Sequence, residues 1–148
     1  MDRFLPPPRP VDDATALAGA WIDFVERRHP VTGDLRMTPT FSLPSGADWA
    51  ARTLTDMLLA DPLFLMEVVS AIVDLSGDAW VLSSLGSGPL EDLLWLGDVE
   101  INALIEMDAS ASGRLREALG SVWPARLPPL SARLIERALT LADAANDL

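Results

Sequence analysis

Apolar residues recur along this chain every three to four positions, in short bursts punctuated by Pro, Gly and Asp. That period belongs to helices with one buried stripe. Leu17, Trp21, Phe24 and Val25 form the first stripe, with Asp23, Glu26 and Arg27 facing out. Asp12 or Asp13 is placed to cap this helix. It should end near Arg28, because His29 precedes Pro30 and a residue before proline avoids the helical region. A second helix is expected over about 47–60, burying Trp49, Leu54, Met57 and Leu58. Asp61-Pro62 then stops it and starts the next, with Asp as N-cap and Pro at the first helical position. The third helix runs to Leu75 and should end at Gly77. Asp78 opens a short fourth helix containing Trp80, Val81, Leu82 and Leu85, which Gly86-Ser87-Gly88-Pro89 should break. Pro89 starts a fifth, PLEDLLWL, whose Glu91 and Asp92 suit the positive end of the helix dipole. Gly97 ends it, and Asp98 caps a sixth helix with Ile101, Leu104 and Ile105. A seventh holds Leu115, Leu119 and Val122 and ends at Trp123-Pro124. After Pro128 and Pro129, a last helix turns Leu134, Ile135, Ala138, Leu139 and Leu141 inward.

The pattern predicts an all-α fold of seven or eight short helices, arranged as an irregular bundle or a short α-solenoid-like array. No clean internal repeat points to a named repeat family. Residues 1–11, rich in Pro, are expected to form an extended arm. Residues 12–148 should form a single helical domain, large enough to bury a core without staples. Within it, residues 29–46 read as a long loop anchored by Met37 and Phe41, or as a short hairpin over VTGDLRMTPTF.

Composition narrows the chemistry. The chain has no Cys, which removes disulfides, thiolate metal sites and Cys nucleophiles. It also has neither Lys nor Tyr; all eleven basic residues are Arg, as a GC-rich coding sequence would produce. The opening MDRFLPPPRP lacks the apolar core of a signal peptide. No apolar run approaches the ~20 residues of a membrane span; the most apolar stretch, 63–75, is interrupted by Glu67 and Asp74. A cytoplasmic protein with no membrane partner is expected.

Charge is distributed unevenly. Residues 1–52 hold seven acids and six Arg, and residues 114–148 hold four acids and five Arg. Residues 53–113 hold eleven acids and no base, equal to the whole net charge of −11. Such a field repels nucleic-acid backbones and steers cationic partners. Some of these acids have a structural use as well, since Asp61, Asp78 and Asp98 stand where helices should begin.

The segment GPLEDLLWLGDVEINALIEMDASASGRLREALGSVW is distinctive as an ordered set. With Ala20-Trp21-Ile22 and Asp61-Pro62 before it, its Gly-Pro-Leu-Glu-Asp-Leu-Leu at 88–94, Gly97 and the 119–123 end resemble an uncharacterised bacterial family of small helical proteins. The resemblance covers roughly 17–140. It departs at Met66, where that family often has Trp, and at Leu96, where it often has His. It implies an all-helical fold and no activity.

Glu91 and Asp92 are the most motif-like carboxylates. As neighbours on a helix they point about 100° apart, so one helix surface cannot aim both at one ligand. Glu91 has a structural alternative, bonding backbone N–H groups of its own turn at the Gly-Ser-Gly-Pro corner. His29, the only histidine, reads as a helix-end residue, and no G-x-S-x-G elbow accompanies it. Neither SGADW nor SLGSGP is a phosphate-binding loop. No catalytic residue, metal ligand or cofactor is therefore expected, and the balance leans against an enzyme. Trp95 is the tryptophan placed for exposure, because Leu93, Leu94 and Leu96 compete for the same core. The expected function is a small acidic binding protein. It would be an immunity or inhibitor protein, or a nucleic-acid mimic, contacting a basic protein through Glu91, Asp92, Trp95, Asp98 and Glu100. Two alternatives stand beside it. One is a carboxylate- or metal-dependent enzyme centred on Glu91 and Asp92. The other is a self-assembling scaffold whose arm, 3–10, packs on a neighbouring copy.

Overall fold

The computed structural model describes residues 13–29 and 48–146. The extended arm expected at 1–11, the loop or hairpin within 30–46 with its anchors Met37 and Phe41, and the side chain of Leu141 lie outside the described residues. Every regular element among the described residues is helical, as the all-α reading requires. By its contacts the chain divides into two compact units, Met1–Ser76 and Gly77–Leu148.

The first unit contains α1 (Ala14–Arg27), α2 (Asp48–Ala60) and α3 (Pro62–Leu75), each packed on the other two. α1 buries Leu17, Trp21 and Val25, spaced by four along one face, and Ala18 beside them. Asp13 caps it, its carboxylate accepting from the Ala16 N–H at 3.1 Å. α3 buries Leu65, Met66, Val68, Val69, Ile72 and Val73. One residue joins α2 to α3. The Asp61 N–H donates to the Met57 carbonyl at 2.8 Å, closing α2, and its side chain accepts from the Phe64 N–H at 3.2 Å, opening α3. Pro62 fits directly after it, since its missing N–H would have no helical partner there. α3 does not end on Gly77 as expected; its cap is Ser76 in extended backbone, φ −139° and ψ 132°.

The second unit contains α4 (Ala79–Leu85), α5 (Glu91–Leu96), α6 (Val99–Ala111), α7 (Gly113–Leu119) and α8 (Pro129–Asn146), with a 3-10 turn at Pro124–Arg126. The Gly86-Ser87-Gly88-Pro89 stretch breaks the helical path, as the sequence suggested: Gly88 leaves the helical region and separates two helices. The backbone winds through a wide π turn, Gly86–Leu90, with its kink at Gly88 (φ −123°, ψ −108°). Leu85 and Leu90 on either side of the glycines are both fully buried. Asp78 stands at the α4 N-cap position without a side-chain capping bond. Ser112 repeats the one-residue joint of the first unit. Its N–H donates to Asp108 O at 2.9 Å, ending α6, and its hydroxyl accepts from the Leu115 N–H at 3.1 Å, starting α7. α7 stops at Leu119, so Val122 is buried from the following segment, not from the helix. On α8, Leu134, Ile135 and Ala138 are buried, while Leu139 faces outward.

α4 and the π turn both pack on α7. A Cβ placed on Gly86 would lie 1.9 Å from the Ala118 carbonyl oxygen and 3.0 Å from Ser121 Cβ. Only hydrogen fits there, so glycine fixes the spacing between these backbones. We predict that Gly86→Ala lowers unfolding stability by about 1–3 kcal/mol, the range for overpacking a tight core. Urea unfolding followed by circular dichroism checks this.

Candidate functional site

The short helix α5 sits at the centre of the acidic block. Two residues of its single buried stripe, Leu93 and Leu94, are fully buried. At about 100° per residue, the opposite side carries Glu91, Trp95 and Asp92, with Trp95 between the two carboxylates. A helix this short has little stability of its own, so its neighbours must hold it.

Three contacts do so. At its C-terminal end, Ser131 Oγ of α8 donates to the Leu94 carbonyl at 2.8 Å and accepts from Asn102 Nδ2 of α6 at 2.9 Å. Asn102 and Ser131 are the buried polar residues among those described, and this chain ties α5, α6 and α8 together. Asn102 Oδ1 has no partner among the described residues. Gly97 then turns the chain in the left-handed region, φ 68°. A side chain there would be strained by φ and would also crowd Pro128 Cγ at 3.2 Å.

At its N-terminal end, Glu91 Oε1 accepts from the Trp123 backbone N–H at 2.9 Å. The carboxylate thus fixes a segment 32 residues away, where the sequence suggested a bond within its own turn. Glu91–Trp123 at one end and Gly97 beside Pro128 at the other bring the two ends of segment 123–128 to the two ends of α5. Leu127 is the buried residue of that segment.

The predicted site residues therefore separate. Glu91 is half-buried and engaged with the backbone at Trp123. Asp98 spends one oxygen on the α6 N-cap, accepting from the Ile101 N–H at 2.9 Å. Asp92, Trp95 and Glu100 are exposed, Trp95 with 59% of its surface in solvent. Partial enclosure of its carboxyl, and then the neighbouring charge of Glu91, hold Asp92 above the usual carboxylate range. Among the described residues, no group of three or more His, Asp or Glu side chains is arranged to hold a metal ion. His29 closes α1, its N–H donating to Glu26 O at 3.2 Å.

Two features escape the sequence reading. Trp123 is exposed at 64%, with the Arg126 guanidinium 5.9 Å from its ring centroid. The signal for it lay in its position, past the last helical residue of α7 and directly before Pro124. The second is the outer face of α6, where Val99 and Met107 are exposed. Apolar residues on both sides of one helix were the signal there.

Among the described residues, no helix is long and apolar enough to cross a membrane. A family of unknown function, DUF6869, matches residues 42–139, more than half of the chain, and the chain belongs to that family. No curated protein matches the chain, and no solved structure matches it.

Two predictions follow from this geometry. Glu91→Ala removes a charge-assisted acceptor from the exposed Trp123 N–H, which water can then satisfy, and should cost about 0.5–1.5 kcal/mol. Glu91→Gln keeps an acceptor and should cost less; urea midpoints compare the two. Asp92 has a raised folded pKa, so its ionised form costs stability above that pKa, and the cost is relieved as pH falls through it. Asp92→Asn should accordingly raise the thermal midpoint at pH 7, and its advantage over wild type should shrink in acid. Melting curves from pH 7 down through the carboxylate range measure the difference.

Proposed function

We propose that this protein is a non-enzymatic binding protein that captures a basic protein partner on the outer edge of α5 and the start of α6. An inhibitor or immunity protein of the bacterial cytoplasm is the form that suits its size and charge. The observation that carries the reading is Trp95. It stands exposed between two carboxylates, inside a 61-residue stretch, 53–113, that has eleven acids and no base.

Each part has a physical use. A tryptophan held in solvent exposes apolar area that a partner can bury, and tryptophan is the residue type most enriched at binding hot spots. Its ring face also attracts a cation. Asp92 and Glu100 reach solvent, so they can raise the rate of encounter with a cationic surface. Partial enclosure and the Glu91 charge disfavour the charged form of Asp92; an incoming Arg or Lys would favour it and offset that penalty. Glu91 and Asp98 contribute in another way, by fixing the position of α5 and the first turn of α6.

The partner can be recovered by pull-down at low salt, identified by mass spectrometry, and its binding rates measured on the purified pair. Asp92→Asn combined with Glu100→Gln should slow association severalfold and flatten its salt dependence. Trp95→Ala should act mainly on dissociation, speeding it at least tenfold. Association and dissociation rates unaltered by both sets of changes would remove this face from the interface.

A further inference from the structure

α6 is apolar on two opposite sides. Its inner side buries Ile101, Ile105 and Ala109. Its outer side exposes Val99 at 72% and Met107 at 60%, with Ala103 exposed between them. These three recur every four residues, so at about 100° per residue they form a stripe roughly 80° wide. The stripe is not a scatter of single surface residues. It has a large side chain at each end, a small one in the middle, and lies on a helix of 13 residues, about 20 Å long.

Acids border it on both sides. Glu100 and Glu106 flank the stripe, at roughly 100° and −20° from Val99. Beyond Glu106 lies a shallow, open depression lined by Glu106, Glu136, Arg137 and Thr140. Arg137 bonds Glu106 through both carboxylate oxygens, at 2.6 and 2.9 Å, and holds that carboxyl below its usual range. Arg137 pairs Glu106, and Arg133 lies one turn away on the same side of α8 as Glu136, so the acids of this edge are balanced and the net negative edge is that of Glu100. α6 itself carries no basic residue.

We infer that the outer face of α6 seats a cationic amphipathic helix of the partner. The inference rests on the basic-partner reading above and adds to it the shape of what binds. An apolar stripe at helical spacing matches the apolar face of a second helix. The dip at Ala103, between Val99 and Met107, receives a side chain from the facing ridge. Met107, unbranched and polarizable, adapts to whichever apolar residue arrives. The Glu100 border decides the sign of the occupant. A second copy of α6 would bring acids against acids, which disfavours self-association across this face. An Arg- or Lys-flanked helix meets opposite charge at the Glu100 edge and no net repulsion at the other.

The test uses the full chain and three synthetic peptides of about 14 residues: a Leu/Arg peptide with its Leu on one helical face, the same composition scrambled to destroy that face, and a Leu/Glu counterpart. Titration calorimetry reads affinity, and sedimentation reads self-association. The amphipathic Leu/Arg peptide should bind at least tenfold tighter than the scramble. Val99→Ser with Met107→Ser should erase that preference while circular dichroism stays unchanged, since both side chains are exposed. Equal binding of the scramble, or a preference that survives the Ser changes, overturns the helix seat and leaves the basic-partner reading intact. Equal binding of the Leu/Glu peptide overturns the charge argument. No binding of the Leu/Arg peptide overturns the seat. Self-association that the Ser changes abolish gives the face to a second copy and overturns the proposal as well.

Discussion

Backbone polar groups at helix ends must find partners, and a chain built from short helices has many ends to satisfy. The second unit meets that demand with helices as short as six residues, and its other features follow from how it does so. Asp98 and Ser112 each cap a helix with a side-chain oxygen. Where α5 ends, the Leu94 carbonyl accepts from both Gly97 N–H and the Ser131 hydroxyl. Glu91 does the same work at long range, satisfying the Trp123 N–H where the chain leaves α7 for α8. The acids at these positions answer to the backbone before they answer to any partner.

That division of labour shapes the acidic block. Its eleven carboxylates are not one uniform field of free charge. Asp61 and Asp98 are spent on caps, Glu91 on the segment beside α5, and Glu106 on Arg137. What remains toward solvent on α5 and the first turn of α6 is Asp92 and Glu100, with Trp95 beside them. The structural acids hold the frame; the exposed ones and the tryptophan are available to recognise something. Affinity at such a surface would come from buried apolar area, and the rate and sign of encounter from the charge.

Close packing makes the second demand. α4 and the π turn approach α7 so closely that Gly86 has room for no side chain against Ala118 O. The kink at Gly88 belongs to the same corner, with Leu85 and Leu90 both buried on either side of it. Gly97, at φ 68°, lets α5 turn into α6 within one residue of its cap. Both glycines place α5 against its neighbours, so the position of Trp95 depends on them.

The sequence by itself determined the all-helical class, the helix order and most helix boundaries. Their causes are local: an apolar residue every three to four positions, Asp or Ser before a helix, Pro at its first position, Gly97 after its last. The exposure of Trp95 was legible because three leucines compete with it for one core. Tertiary structure decided what depended on distant partners. Glu91 reads as a cap of its own turn, yet its partner lies 32 residues on. The exposure of Trp123 and of the Val99–Met107 stripe was not read from the sequence, because periodicity records that a helix has an apolar side and not whether another element arrives to cover it. Which surfaces are covered is a property of the packed helices together, and no local window of sequence contains it.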